Sequence, residues 1–228
     1  MTTFARRSSA GPAVVLATVV LAACSGHSDP SSVTRGALAA RATPTAAAAH
    51  PVEPAMRGLV GSGCEAYAAA VPTGAGSFAG MASDPLAVAV GHNPMLTTLA
   101  KALSGRLNPR VSLISTLNGS AFTVFAPVDA AFGKLPAGTV GSWKLAHNRS
   151  ALTNLLIYHL VAGRLSPSTV VGAQKTVAGG DLTVAGSGGE LTVNGAHVIC
   201  GGIRTANATV YLIDTVLTPS SSRPEYKR

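Results

Sequence analysis

Between Phe122 and Leu135 the run of apolar and polar positions changes period partway. Phe122, Val124 and Ala126 alternate with Thr123 and Phe125, and nearly all are β-formers, which predicts a strand. Pro127 has no N–H to give a ladder and closes it. Asp129 then stands where an N-cap would accept from the free N–H groups of a short helix through Phe132 and Leu135.

Upstream the pattern is helical. Glu65 to Val71 predicts a short helix that Pro72 stops. Gly74 to Gly80 reads as a loop, and not as a dinucleotide fingerprint, because the third glycine is displaced and no strand precedes it. Asp84-Pro85 opens another helix, with Asp84 as cap and Pro85 in the first turn, and Asn93-Pro94 repeats the device. Leu96, Leu99, Leu103 and Leu107 form a core stripe at helical spacing. Val111 to Leu117 is a further short apolar element, and Asn118-Gly119 is a turn leading into the strand at Phe122.

Downstream, Thr139 to Leu145 predicts a helix holding Trp143. Ser150 is placed to cap the next, Ala151 to Ile157, which runs into Leu155 to Val161. From Lys175 the pattern is β. Short strands are expected at Thr176–Ala178, Asp181–Ala185, Glu190–Val193, His197–Cys200 and Thr209–Asp214, separated by glycine runs. Asn194-Gly195 is a type I′ hairpin signal. Helices first and a meander afterwards argue an α+β fold.

Composition narrows the function classes. The chain has 228 residues, enough for one domain with tails. Charged residues are 11%, and nine acidic side chains leave little for paired-carboxylate catalysis. The net charge of +8 falls to +6 once Arg6 and Arg7 leave with a signal segment; the remaining cations are scattered singly, and no basic cluster carries interleaved aromatics. That excludes nucleic acid as the expected partner and leaves at most a mildly cationic face for acidic polymers.

The N-terminus reads as an address. Arg6 and Arg7 precede an apolar run, Ala13 to Ala23, that is too short for a bilayer span of about 20 residues and suits a signal peptide. It ends in Leu21-Ala22-Ala23-Cys24, which looks like a bacterial lipobox. Acyl chains on Cys24 would anchor the mature chain on the outer face of the membrane. Residues 24–60 read as a lipidated, disordered stalk rich in Ser, Thr, Ala and Pro, with a reach of roughly 30 Å. Thr43 and Thr45 are candidate O-glycosylation sites on it. Residues 61–219 are the expected domain, and 220–228 a flexible tail.

With Cys24 taken by lipid, Cys64 and Cys200 are an even pair in an exported chain, which predicts a disulfide. The alternative is a catalytic cysteine served by His159 or His197. His159, among apolar neighbours, is the most tempting general base, although no Ser, Cys or acidic partner stands nearby in a recognised arrangement. No metal or cofactor site is expected.

Three segments carry a resemblance. Phe122-Thr123-Val124-Phe125-Ala126-Pro127-Val128-Asp129-Ala130-Ala131-Phe132 resembles the first signature of the fasciclin (FAS1) family. Leu156-Ile157-Tyr158-His159-Leu160-Val161 resembles its central segment, and Asn207 to Leu217, with Tyr211 and Asp214, its second signature. The resemblance covers about residues 64 to 219 and is closest to the mycobacterial surface lipoprotein antigens of that family. It implies a β-sheet wedge with N-terminal helices packed on it. It assigns structural roles to Phe122, Phe125, Pro127, Asp129, Phe132, Tyr158, His159, Asn207, Tyr211 and Asp214. Val128 stands where the family usually has Thr or Ser, so Asp129 is expected to cap alone, and Tyr211 stands where many members have His. No Asp-Ile pair occurs, so the short integrin motifs of animal members do not carry over. Asn118, Asn148 and Asn207 each begin an Asn-x-Ser/Thr sequon, which a bacterial host would leave unmodified.

The function implied is that of a monomeric, lipid-anchored surface antigen without catalysis. It would meet host surface or matrix proteins and innate immune receptors, with some release to the cell wall or medium. A carrier or sensor of a small apolar ligand or cell-wall glycolipid is the alternative.

Overall fold

A computed structural model describes residues 56–219. The leader, Cys24, Thr43, Thr45, most of the expected stalk and the 220–228 tail lie outside the described residues. The packed unit begins before the expected boundary at 61. Met56 and Leu59 pack on the core, and Val60 pairs with Gly201.

Five short helices come first: α1 (Cys64–Ala70), α2 (Phe78–Ser83), α3 (Leu86–His92), α4 (Thr97–Leu103) and α5 (Ile114–Gly119). Strand β1 (Phe122–Pro127) follows, then α6 (Asp129–Gly133), α7 (Thr139–Trp143) and α8 (Arg149–Tyr158). The remaining strands are β2 (Leu160–Ala162), β3 (Gly172–Lys175), β4 (Asp181–Ala185), β5 (Thr192–Val193), β6 (Ala196–Arg204) and β7 (Ala208–Ile213). They form one sheet in the order β2-β1-β7-β6-β5-β4-β3, antiparallel except for the parallel pair β1 and β7.

Strands β1 and β7 are buried along their whole length. Their alternation therefore sorts residues between two cores rather than between core and water. Phe122, Val124, Ala126, Val210 and Leu212 join the core shared with the helices. Phe125, Tyr211 and Ile213 join a second core with Val184, Val193 and Leu182, enclosed by the curled sheet. The curl comes from β6, whose register slips between Val198 and Cys200 and again between Cys200 and Ile203. Such bulges bend a strand and sharpen its twist. The two edges then meet: Val161 of β2 bridges Thr176, and the Val177 N–H donates to Leu160 O at 2.8 Å.

Several elements differ from the sequence expectation. The glycine pair Gly201-Gly202 was expected to end a strand, but β6 runs through it. Tyr211 lies directly over Gly201, leaving no room for a Cβ, and Gly202 adopts a φ of +79°. Thr176 to Ala178 is a turn, not a strand, because the Thr176 N–H and hydroxyl both donate to Gly180 O at 2.8 Å. β3 sits just before it. The loop expected over Gly74 to Gly80 already contains α2, whose Ser77 Oγ accepts from the Gly80 N–H at 3.1 Å. Ser150 lies inside α8, and neither it nor Asn148 caps that helix with its side chain. The Asn194-Gly195 turn has positive φ at both residues, as type I′ requires.

Cys64 and Cys200 form a disulfide with Cα atoms 4.8 Å apart across 136 residues of sequence. It ties α1, the first helix, to the bulged strand β6. By chain entropy such a closure contributes on the order of 4–5 kcal/mol. Replacing both cysteines with Ala is therefore expected to cost about 2–5 kcal/mol in urea unfolding. An unchanged midpoint would show that the closure carries no stability.

Candidate functional site

The three family-like segments converge on the centre of the sheet. β1 and β7 lie side by side with Phe125 opposite Tyr211. The Phe125 N–H donates to His159 O at 3.0 Å, which joins the end of α8 to the same place. The His159 ring is 3% exposed. Its Nε2 accepts from the Leu217 N–H at 3.0 Å, so the proton sits on Nδ1, which donates to Leu155 O at 2.8 Å. Burial lowers its pKa to about 4, against the partial opposition of the Leu155 bond. Neutral and bonded at both nitrogens, His159 has no lone pair to offer a substrate. The cysteine–histidine alternative is overturned as well, because both thiols are consumed in the disulfide.

Asp129 corrects the local-cap expectation. It stands at the start of α6, yet that helix has Val128 at its N-cap and no side-chain cap bond. Its carboxylate instead caps α4: Oδ1 accepts from the Thr98 N–H at 2.7 Å, and Oδ2 from the Thr97 N–H at 3.2 Å and hydroxyl at 2.8 Å. Burial works to raise its pKa, but these bonds outweigh it and hold the carboxyl below its ordinary value. Asn93, expected to cap α4, is buried and accepts instead from the Met95 N–H at 2.9 Å.

Asn207 does the same for α3. Its Oδ1 accepts from the Leu86 N–H at 2.8 Å, while Nδ2 donates to Leu117 O and Ser120 O, both at 2.7 Å. Asn118 Oδ1 takes the Ala87 N–H at 3.0 Å. Asp84, expected to cap this helix, pairs with His92 at 2.9 Å. These long-range caps were not read from the sequence, although Asn and Asp beside strand ends are their signal. Asn148 Nδ2 donates to Ser142 O at 2.8 Å, so the Asn148 and Asn207 sequons have their amide nitrogens engaged within the fold.

The other motif positions are also structural. The Tyr158 hydroxyl donates to Asp181 O at 3.1 Å and accepts from Asn194 at 3.3 Å. The Tyr211 hydroxyl donates to Leu165 O at 3.0 Å, and its ring lies 5.6 Å from Phe125. Phe122 and Phe132 fill the helix-side core, and Pro127 pairs with Ile213 as the last residue of β1. Asp214 accepts from Lys134 and from the His197 N–H, both at 2.9 Å. Burial tends to raise its pKa, but the bonds from Lys134, Thr215 and His197 lower it overall.

Clefts open on the outer surface. One groove between helices, about 350 Å³, includes Val88, His92, Lys101, Arg106 and Ile114. A second cleft, about 600 Å³, opens beside Gly202. Among the described residues no cluster of His, Cys, Asp and Glu could hold a metal, and no helix is long and apolar enough to cross a membrane.

The profile of the Fasciclin domain matches residues 94–219. The chain is 48% identical over 215 residues to the cell surface glycolipoprotein MPB83 of Mycobacterium bovis, covering 94% of this chain and 96% of that one. It is 54% identical over 183 residues to the immunogenic protein MPT70 of Mycobacterium tuberculosis, covering 80% and 90%. A solved FAS1 domain pair from the insect cell adhesion molecule Fasciclin I shares the fold, with a TM-score of 0.52 at 17% identity. The match covers 62% of this chain and 53% of the insect one.

Two predictions follow from these bonds. Asn207→Ala removes one acceptor and two donor bonds at a half-buried site and should cost about 2–4 kcal/mol. Asn207→Asp keeps an acceptor for α3 but sets a carboxylate oxygen against Leu117 O and Ser120 O, so its urea midpoint should fall at least as far as alanine's, which shows that the two donor bonds matter beyond the cap. The second concerns pH. Unfolded His159 takes a proton near 6.5, the folded ring only near 4, so its contribution is full above 6.5 and erodes as pH falls toward 4. The loss is about 3 kcal/mol. Asp129 and Asp214, with lowered pKa values, extend it at still lower pH. His159→Asn should flatten the stability profile between these two values, and an unaltered profile would refute the assignment.

Proposed function

The chain belongs to the fasciclin domain family, and from that premise we propose that it is a lipid-anchored, non-enzymatic surface antigen mediating adhesion or host contact. The observation that carries this reading is the extent of the match to MPB83. Its 215 aligned residues exceed the folded unit and must reach into the leader and stalk. That relative's name places it on the cell surface as a glycolipoprotein. The Leu21-Ala22-Ala23-Cys24 run supplies the chemistry for the lipid, and Thr43 and Thr45 the hydroxyls for glycan.

The domain is held off the membrane by its stalk as a monomer. Its partners are host surface or matrix proteins and innate immune receptors that read the lipopeptide. The absence of an Asp-Ile pair argues against the integrin motifs of animal members. The signature residues support a scaffold role, since their polar atoms are spent inside the fold. The contact surface is therefore the loops and grooves around them. A carrier of small apolar ligands draws less support, because the aliphatic side chains fill two cores.

In cells that process bacterial lipoproteins, wild-type chain should partition into the detergent phase and be labelled at the surface. Cys24→Ser should move it to the aqueous phase. Continued detergent partitioning of that variant would refute the anchor.

A further inference from the structure

The cleft beside Gly202 collects three arginines from distant parts of the chain: Arg57, Arg164 and Arg204. They meet because three segments meet at Gly202. A Cβ on that glycine would lie 2.7 Å from Gly58 O and 2.9 Å from Pro167 Cγ, so β6, the segment before α1 and the loop after β2 are in direct contact. The segment before α1 is fixed there by the Val60–Gly201 bridge, with the Val60 N–H donating to Gly201 O at 3.0 Å. Arg164 is fixed by its own bonds to Thr205 O at 3.1 Å and Ala206 O at 3.4 Å.

No carboxylate lines this cleft among the described residues. Four of the described carboxylates are engaged elsewhere: Asp84 with His92, Asp214 with Lys134, Asp181 with Lys175 and Asp129 with α4. The cleft also presents the hydroxyls of Ser166 and Ser168, 2.9 Å apart. Val60 and Pro167 are its apolar side chains. Among the described residues no carboxylate pairs with these three arginines, and cationic side chains gathered in one cleft attract an anion.

We propose that this cleft binds a phosphoryl group carried on a small polar molecule or a lipid headgroup. A phosphoryl ester carries up to two negative charges and three acceptor oxygens, which guanidinium forks engage in pairs. A single carboxylate would leave most of the positive charge unmet. The volume, about 600 Å³, lies in the range of small-molecule sites and exceeds the phosphoryl group alone, so the attached polar body is bound as well. This site is independent of the anchoring proposed above.

The test uses the chain from Cys24 to its C-terminus with Cys24→Ser, so that acylation cannot report. It is titrated calorimetrically with inorganic phosphate and with glycerol 3-phosphate. It is also sedimented with phosphatidylcholine vesicles with and without phosphatidylglycerol. Saturable phosphate binding is expected, with glycerol 3-phosphate tighter. Arg57→Gln and Arg204→Gln should each weaken it roughly tenfold with unchanged melting curves, and Lys144→Gln, outside the cleft, should leave it intact. Capture by phosphatidylglycerol vesicles that phosphate reverses identifies a lipid headgroup as the source. Binding of glycerol 3-phosphate without vesicle capture identifies a soluble phosphate ester. No saturable phosphate binding overturns the proposal. So does equal weakening by Lys144→Gln, or tighter binding of polyglutamate, which would mark an acidic polypeptide surface instead.

Discussion

The parallel pairing of β1 with β7 is the constraint on which the rest of the fold depends. A parallel pair needs a long crossover, and a pair buried along both faces needs cover on both. The rest of the chain supplies the covers, from before the pair and from between its two strands. Helices α1 to α5 precede the pair and pack on one face, and β3 to β6 curl over the other. Once both faces are occupied, a residue such as Thr123, fully buried between Phe122 and Val124, must have its hydroxyl satisfied. It donates to Gly163 O at 2.7 Å and accepts from the Leu165 N–H at 2.8 Å, which pins the loop after β2.

The same pair organises the helices through their ends. Short helices cannot hold themselves, and each leaves N–H groups without partners at its start. Asp129 follows β1 directly and caps α4, while Asn207 precedes β7 directly and caps α3. One cap stands at each end of the buried pair, so placing the strands also places the helices. This explains why residues of no catalytic character mark the two signatures.

Much of this was legible in the chain. The alternation from Phe122, the leucine stripe as far as Leu103 and the Asn194-Gly195 turn each depend on neighbours within a few residues, and sequence spacing reports those well; the disulfide joins residues 136 apart and was legible only because two cysteines remained to pair. The helix caps were legible only in kind. Asp84, Asn93, Asp129 and Ser150 all have the side chains that cap helices, and a local reading assigns each to the helix beside it. In the fold Asp129 reaches a helix some thirty residues earlier, and Asn207 one more than a hundred residues earlier. Gly201-Gly202 misled for a similar reason. Paired glycines signal a break when nothing packs on them, but here the Tyr211 ring requires the bare backbone and the strand continues.

The basic cleft was illegible for the same physical cause. Within residues 56–219 the cations stand singly in sequence, and a reading of charge runs finds no patch. Arg57, Arg164 and Arg204 are brought together by backbone contacts at Gly202 that involve no charge at all. The contacts that gather them come from the sheet, the bridge at Val60 and the packing of Pro167; Arg164 is bonded there to Thr205 O and Ala206 O, and among the described residues no carboxylate neutralises the three. A scaffold whose signature residues are all spent internally has its specificity elsewhere. The places to look are those where the fold holds an unfavourable arrangement that a ligand would relieve, and on the described surface this cleft is such a place.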